Sequence, residues 1–148
     1  MNRQVSAFLL GAVSGMRSMS APAVLSYRLR RRGGSPRFLT GSRTVPALGL
    51  AAAAELIVDK LPSTPARIAT PALIARILSG ALAGSLVVAQ GRRERVLGAM
   101  LGAAGAVTAT YGMYHLRKTA VEKSKLPDSV FAVVEDAAAL TLAWKAAA

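Results

Sequence analysis

Cysteine is absent from this chain, which excludes disulfide bonds, thiolate metal sites and thiol nucleophiles. Histidine occurs once, at His115, so a zinc site made of His and Cys ligands is excluded as well. The chain also lacks a Gly-x-Ser-x-Gly nucleophile turn and a phosphate-binding loop of the GxxxxGK type. We therefore expect a protein that is not an enzyme and that binds neither a metal nor a cofactor.

Large aromatic side chains are scarce. The 148 residues include three Phe, three Tyr and one Trp, against thirty Ala and thirteen Gly. A soluble core of this size normally uses larger apolar residues, because Ala buries little surface. Helices rich in Ala and Gly pack backbone against backbone, as helices in lipid do. The length fits a single domain, 1–148, and the composition favours an all-α membrane helix bundle.

Acidic residues are also few, since 7 Asp and Glu stand against 19 Lys and Arg, which gives a net charge of +12. The basic residues fall mainly between apolar segments, in YRLRRRGGSPR, GRRER and HLRKTAVEKSK. Loops of membrane proteins gather Lys and Arg in this way, whereas a nucleic-acid-binding module arrays them along one face among aromatic residues. We expect a lipid bilayer as partner, anionic lipids at the arginines between Arg28 and Arg32, and no nucleic acid.

Five apolar segments predict about five transmembrane helices, and therefore a polytopic bundle. Only the fourth is free of Asp, Glu, Lys and Arg over about 20 residues, the length that a membrane span needs. Each of the others can span the membrane only if a charged residue lies within the span. The segments are 5–27, 44–61, 72–90, 96–116 and 129–144.

Loop charge sets the predicted orientation, since the loops after segments one and three carry six and three arginines. Both loops then face the cytoplasm, and the N-terminus lies outside. The basic stretch 117–128 would lie outside, and we interpret it as an interfacial helix. A signal peptide is an alternative for the first segment, with an Ala-x-Ala site at Ala21 to Ala23, although Arg17 divides its apolar part.

Several ionisable residues lie within or at the edge of the apolar segments. A charge at the centre of a bilayer span costs roughly 2.5–3.5 kcal/mol, so such residues need partners inside the bundle. They can form ion pairs that fix the register of the helices, or they can line a polar pathway. The candidate binding or pathway residues are Arg17, Glu55, Asp59, Lys60, Arg76, Glu135 and Asp136.

The string SGMRSMSAP places small polar residues around Arg17 and ends at Pro22. Proline removes a helix hydrogen bond and disfavours helix at the residue before it, Ala21. The string therefore predicts either a kinked helix or a broken one whose free backbone groups meet a ligand, as in many transporters.

Two weaker patterns concern the arrangement of the helices. Segments one and two resemble segments four and five, and this order is typical of the inverted repeats of transporters. Glycines four residues apart, Gly80 with Gly84 and Gly98 with Gly102, indicate close helix association and predict a homodimer.

Four strings resemble the bacterial membrane-protein family called domain of unknown function 4126. They are SGMRSMSAPAVLS, ELIVDKLPSTPAR, GAAGAVTATYGMYHLR and VVEDAAAL, and they fall within about residues 8–142. Family members often have a Gly-Leu-Asn-type motif where this chain has Gly15, Met16 and Arg17, so the resemblance assigns no role to Arg17. It implies a multi-pass protein of the bacterial cytoplasmic membrane and supplies no activity.

Two functions fit these observations. The first is a small transporter or channel-like protein, in which buried carboxylates handle a proton or cation and Arg17 or Arg76 faces an anion. The alternative is a structural or lipid-interacting membrane protein without transport activity, whose basic loops hold anionic headgroups.

Overall fold

The computed structural model describes residues 1–34, 36–58, 70–88, 91–123 and 128–147. Regular structure within these ranges is entirely helical, with seven helices and no strand. The all-α class predicted from the sequence is therefore confirmed. The helices are α1 (Arg3–Met16), α2 (Ser20–Arg31), α3 (Arg37–Thr40), α4 (Thr44–Val58), α5 (Thr70–Val87), α6 (Arg92–Lys123) and α7 (Asp128–Ala146).

Three helices carry proline in their first turn, namely Pro22 in α2, Pro46 in α4 and Pro71 in α5. The N–H groups of a first turn have no acceptor within the helix, so proline removes no hydrogen bond there. Gly33 follows α2 with a φ of 67°, in the left-handed region that favours glycine at a helix end. Proline thus marks the start of these three helices, and glycine marks the end of α2.

The first apolar segment is a broken helix rather than a kinked one. α1 ends at Met16, α2 begins at Ser20, and Arg17 between them has extended backbone with φ −144° and ψ 111°. The prediction that Pro22 disfavours helix at Ala21 is wrong, because Pro22 lies in the first turn of α2, where proline is tolerated. The break lies one turn earlier, at the arginine itself.

Glycine contacts join α1, α5 and α6 at the centre of the bundle. Gly11, Gly80 and Gly102, one from each helix, meet at one point. A Cβ atom added to Gly80 would lie 2.7 Å from the Gly102 carbonyl oxygen and 3.2 Å from the Gly11 Cα atom. A side chain at this position would collide with backbone, so glycine is what allows the three helices to touch.

The glycine spacing that predicts a homodimer is used within one chain. Gly84 faces Gly98 and Gly80 faces Gly102 across the contact between α5 and α6. Gly105 of α6 packs against the backbone of α1. These contacts account for the spacing without a second copy of the chain, and the homodimer remains a prediction.

Two helices are long and apolar enough to cross a membrane, α5 and the stretch Arg92–Ala120 of α6. α4 is apolar but has 15 residues, and the break divides the first segment into helices of 14 and 12 residues. α7 carries Glu135, Asp136 and Lys145 within its 19 residues. The further spans of the predicted five therefore stay a prediction.

α6 is longer than the predicted segment 96–116 and has 32 residues, about 48 Å of helix. It continues through Leu116 to Lys123 because this stretch contains neither Gly nor Pro and is rich in good helix formers. The basic stretch predicted as a separate interfacial helix therefore begins as part of α6. Since α6 is uninterrupted and the first segment is broken, the inverted repeat also remains a prediction.

The glycine contacts can be tested with one substitution at two positions of α6. Gly102→Ala places a methyl group against the backbone of α5, and we expect it to lower the free energy of unfolding by about 1–3 kcal/mol. Gly112→Ala is the matched control, because a Cβ atom there meets nothing within 4 Å. We expect this control to raise the free energy of unfolding by about 0.5–1 kcal/mol, since glycine is unfavourable inside a helix. Denaturant titration measures both, and a destabilised Gly112→Ala or a neutral Gly102→Ala would contradict the packing.

Candidate functional site

The break between α1 and α2 leaves backbone groups that no helix satisfies, carbonyl oxygens on one side and N–H groups on the other. Polar side chains from α4, α5, α6 and α7 reach these groups or the arginine between them. We call this set the helix-break site, and it consists of Arg17, Ser18, Glu55, Ser79, Thr110 and Asp136.

Glu55 of α4 binds the N-terminus of α2, on the C-terminal side of the break. Its carboxylate accepts hydrogen bonds from the Ser18 N–H at 2.7 Å, the Met19 N–H at 2.8 Å and the Ser18 hydroxyl at 2.5 Å. Met19, the residue before α2, forms no capping hydrogen bond with its own side chain. A carboxylate from another helix therefore occupies the anion-binding position at the start of α2, where the helix dipole favours negative charge.

Two hydroxyl groups lie within hydrogen-bond distance of backbone carbonyl oxygens at the break. Ser79 of α5 donates from its hydroxyl to the Ser18 carbonyl oxygen, and its hydroxyl also lies 3.3 Å from the Ser14 hydroxyl. The Thr110 hydroxyl of α6 lies 3.1 Å from the Gly15 carbonyl oxygen, which it can reach as a donor. The short Ser and Thr side chains can reach these carbonyl oxygens because the glycine contacts bring α1, α5 and α6 close together.

Arg17 pairs with Asp136 of α7. The Arg17 Nε atom donates to Asp136 Oδ1 at 2.7 Å, and a terminal nitrogen of the same guanidinium forms a salt bridge with that oxygen. Only 1% of Arg17 is exposed, and Asp136 is buried too. Burying two charges costs free energy that their mutual attraction must offset, so each of them depends strongly on the other.

A second buried acid, Glu135, precedes Asp136 in α7. The Arg117 Nη1 atom lies 3.7 Å from Glu135 Oε2. Adjacent residues on a helix point about 100° apart, so the two acids serve different partners. Arg117 was expected outside the spans, but it lies in α6, seven residues after Thr110 and thus two turns further along the same face.

The other predicted site residues divide into two groups. Arg76 of α5 is buried, and it precedes Ser79 by three residues, which places both on one side of the helix. Asp59 and Lys60 lie outside the described residues. The structure therefore brings Arg17, Glu55 and Asp136 to one site, with Glu135 and Arg76 buried in the same bundle.

Sequence reasoning missed Ser79, Thr110 and Arg117. Serine and threonine inside an apolar helix carry little signal, because they can hydrogen-bond to their own helix, as Thr110 does with the Ala106 carbonyl oxygen at 2.8 Å. The spacing of seven between Thr110 and Arg117 was the available indication of a shared polar face. In the described part of the chain, no three His, Asp or Glu side chains come together as metal ligands.

The geometry couples the charge of Glu55 to the start of α2. An ionised carboxylate accepts all three hydrogen bonds at the break, and charge-assisted bonds are about twice as strong as neutral ones. A protonated carboxyl group is a weaker acceptor, and its own O–H group needs a hydrogen-bond acceptor. Uptake of a proton at Glu55 would therefore loosen the hold of α4 on α2.

The pairing of Arg17 with Asp136 predicts a specific stability pattern. Arg17→Met leaves Asp136 buried without that partner, and we expect a loss of about 3–5 kcal/mol in the free energy of unfolding. The double variant Arg17→Met with Asp136→Leu removes both charges and should recover most of the loss. Arg95→Met, at an exposed position of α6, is the control and should change stability by less than about 0.5 kcal/mol. A double variant no more stable than Arg17→Met would show that the two side chains do not depend on each other.

Comparisons with family models, with curated proteins and with solved structures give no match. The resemblance to domain of unknown function 4126 therefore remains a prediction. The four strings that carry it all contribute to the buried polar interior, through Arg17, Glu55, Thr110 and Asp136 respectively. Residues far apart in the chain thus meet at the helix-break site.

Proposed function

We propose that this chain is a multi-pass protein of the bacterial cytoplasmic membrane. The observation that supports this best is an inverted distribution of polarity. Arg17 and Glu135 are buried inside the bundle, whereas large apolar side chains on four helices are between 62% and 72% exposed. A monomeric soluble protein rarely exposes so much apolar surface. The exposed set includes Leu50, Ile57, Leu78, Met100 and Val134.

The burial of the two long apolar helices points the same way. Only 28% of the apolar stretch of α5, and 28% of the apolar stretch of α6, is buried within the chain. The core helix of a soluble protein would be mostly covered by its own fold. A bilayer supplies the missing cover, and it tolerates exposed Leu, Ile and Val at no cost.

Within that membrane setting, we propose a transporter or channel-like activity for a proton, an ion or a small solute. The broken helix is the observation that supports this, because discontinuous helices with charged groups at the break form the substrate and ion sites of many transporters. Ionisable residues at such depth are functional candidates by default. The helix-break site combines both features.

Glu55 has the central role in this proposal. It is the carboxylate that binds the N-terminus of α2, and its protonation would weaken the hydrogen bonds that it accepts there. Proton uptake would then be linked to movement of α2 relative to α4. Arg17 and Asp136 keep the other side of the break in place while α2 moves.

A structural role without transport is the second candidate. The direct hydrogen bonds of Glu55 and Asp136 favour it, since both carboxylates already have partners within the protein. In that case the network fixes how the helices pack, and the membrane lipid is the functional partner.

The membrane proposal predicts how the chain fractionates. We expect it to stay with membranes through an alkaline carbonate wash and to dissolve only when detergent is added, because its apolar helices need a lipid-like cover. Sedimentation followed by immunoblotting measures this. A chain that is purified as a monodisperse species in detergent-free buffer would contradict the membrane proposal and the transport proposal with it.

The transport proposal predicts a loss of flux in Glu55→Gln. The amide cannot exchange a proton, and its NH2 group replaces one of the two acceptor oxygens that face backbone N–H groups, so we expect flux through proteoliposomes to fall by about tenfold or more, the equivalent of one charge-assisted hydrogen bond. Fluorescent pH and ion indicators inside the vesicles measure the flux. Glu94→Gln, at an exposed acid in the first turn of α6, is the matched control and should transport like the wild type.

Two results decide between the candidates. If Glu55→Gln transports as fast as the wild type, the role of Glu55 is wrong. If the folded wild type carries no flux of protons, alkali cations or chloride while Glu55→Gln only lowers the unfolding temperature, the structural role replaces the transport proposal.

A further inference from the structure

We propose that the groove between α2, α4 and α7 binds one anionic phospholipid, with an acyl chain in the groove and the phosphate on Arg28. This inference rests on the proposed membrane location but not on transport. It is carried by an apolar cavity, an arginine beside it with one unsatisfied buried donor, and a cluster of positive charge that has no acidic partner among the described residues.

The groove has the form that an acyl chain requires. Its volume is about 320 Å³, and it is open on one side and lined almost entirely by apolar atoms. Gly49 lies in its wall, and a Cβ atom added there would meet nothing within 4 Å, so the groove is open at this position. The remaining lining includes Ala23, Ala53, Leu140, Tyr27 and Trp144.

Arg28 lies beside this groove, because it packs on Trp144, one of the lining residues. Its guanidinium carbon is 4.0 Å from the centre of the Trp144 ring, and its Nη2 atom donates to the Trp144 carbonyl oxygen at 3.0 Å. Its Nε atom is buried and has no hydrogen-bond partner among the described residues. A guanidinium has five N–H donors, and a buried donor without an acceptor is costly. The described residues therefore leave this arginine with an unsatisfied donor.

No carboxylate in the described ranges supplies that acceptor. The salt bridges there join Arg17 with Asp136 and Arg117 with Glu135, away from the end of α2. Arg30, Arg31 and Arg32 follow Arg28 and are exposed, so four positive charges fall within five residues. Positive charge of this density next to the membrane attracts anionic lipid, and arginine binds phosphate oxygens through paired N–H groups.

The aromatic residues give the bound lipid a direction. Tyr27 and Trp144 lie 6.1 Å apart between ring centres and line the same groove, and Arg31 lies over the Tyr27 ring at 5.9 Å. Tyr and Trp concentrate where a membrane meets water, at the level of the headgroups. The phosphate therefore belongs at the Arg28 end, with the chain directed between α2 and α4.

A second groove of the same bundle shows why charge matters to the choice of ligand. It has a volume of about 360 Å³ and is lined by residues such as Pro22, Leu48 and Leu78, with no aromatic residue and, like the first groove, no charged residue in its wall. That groove suits any acyl chain. Of these two grooves, the first has an arginine with an unsatisfied buried donor packed on one of its wall residues, Trp144, which is the pattern expected of a site for an anionic amphiphile.

Trp144 is the single tryptophan of the chain, so it reports on this groove without interference. The protein is reconstituted into phosphatidylcholine vesicles, and vesicles that float in a density gradient are collected. Quenching of Trp144 fluorescence is then compared between phosphatidylglycerol and phosphatidylcholine that carry the same brominated acyl chains. We expect brominated phosphatidylglycerol to be preferred by about fivefold, the contribution of one arginine near an anionic surface.

Two variants test the two halves of the site. Arg28→Gln removes the phosphate contact, and we expect the preference for phosphatidylglycerol to disappear while ordinary quenching by both lipids remains. Gly49→Leu fills the groove, and we expect it to reduce quenching by both lipids. Arg95→Gln and Gly112→Leu are matched controls at an exposed arginine and an open glycine elsewhere, and both should behave as the wild type. Inorganic phosphate added to the buffer should not displace the brominated lipid.

Each contrary result has a defined meaning. Equal quenching by both lipids in floated wild-type vesicles, or a preference that survives Arg28→Gln, would overturn the anionic site. Unchanged quenching in Gly49→Leu, or displacement by inorganic phosphate, would overturn the placement of a lipid in the groove. A chain that fails to float refutes the membrane location instead, so the two failures are told apart before any quenching is measured.

Discussion

The interruption of the first helix at Arg17 imposes the constraint on which the rest of the bundle depends. Each backbone group released at a helix end needs a hydrogen-bond partner, and in apolar surroundings a group without one costs several kcal/mol. The partners come from outside the broken helix, namely Glu55, Ser79 and Thr110. Three helices, α4, α5 and α6, must therefore lie in fixed positions around one short stretch of chain.

Close glycine packing is what makes those positions possible. Gly80 touches Gly102 and Gly11 directly beside Ser79, so a side chain as short as serine reaches the backbone of the neighbouring helix. Larger residues at these glycines would hold the helices apart and leave the carbonyl oxygens of the break without donors. The hydrogen bonds of the buried polar residues therefore depend on the close packing of the small residues, and the broken helix needs both.

α2 emerges as a helix with an anion-binding position at each end. Its N-terminus holds the carboxylate of Glu55, in the orientation that the helix dipole favours. Its last turn carries Arg28, Arg30 and Arg31, where positive side chains are favoured by the same dipole and where we place the headgroup of an anionic lipid. The two proposals concern opposite ends of one short helix.

Local features of the sequence determined that the chain is helical, roughly where most helices lie and that charges occur inside them, and they predicted a kink or a break near SGMRSMSAP, because proline, glycine and apolar runs act on their own neighbourhood. They also identified Arg17, Glu55 and Asp136 as site residues, since an ionisable residue in an apolar run is conspicuous, and the structure buries Arg17 and Asp136 and half-buries Glu55. Only the tertiary structure decided that Arg17 pairs with Asp136, that Glu55 binds backbone N–H groups, and that Gly80 and Gly102 meet within one chain. Those choices depend on which helix faces come together, and that is set by packing over the whole bundle, not by spacing along the chain.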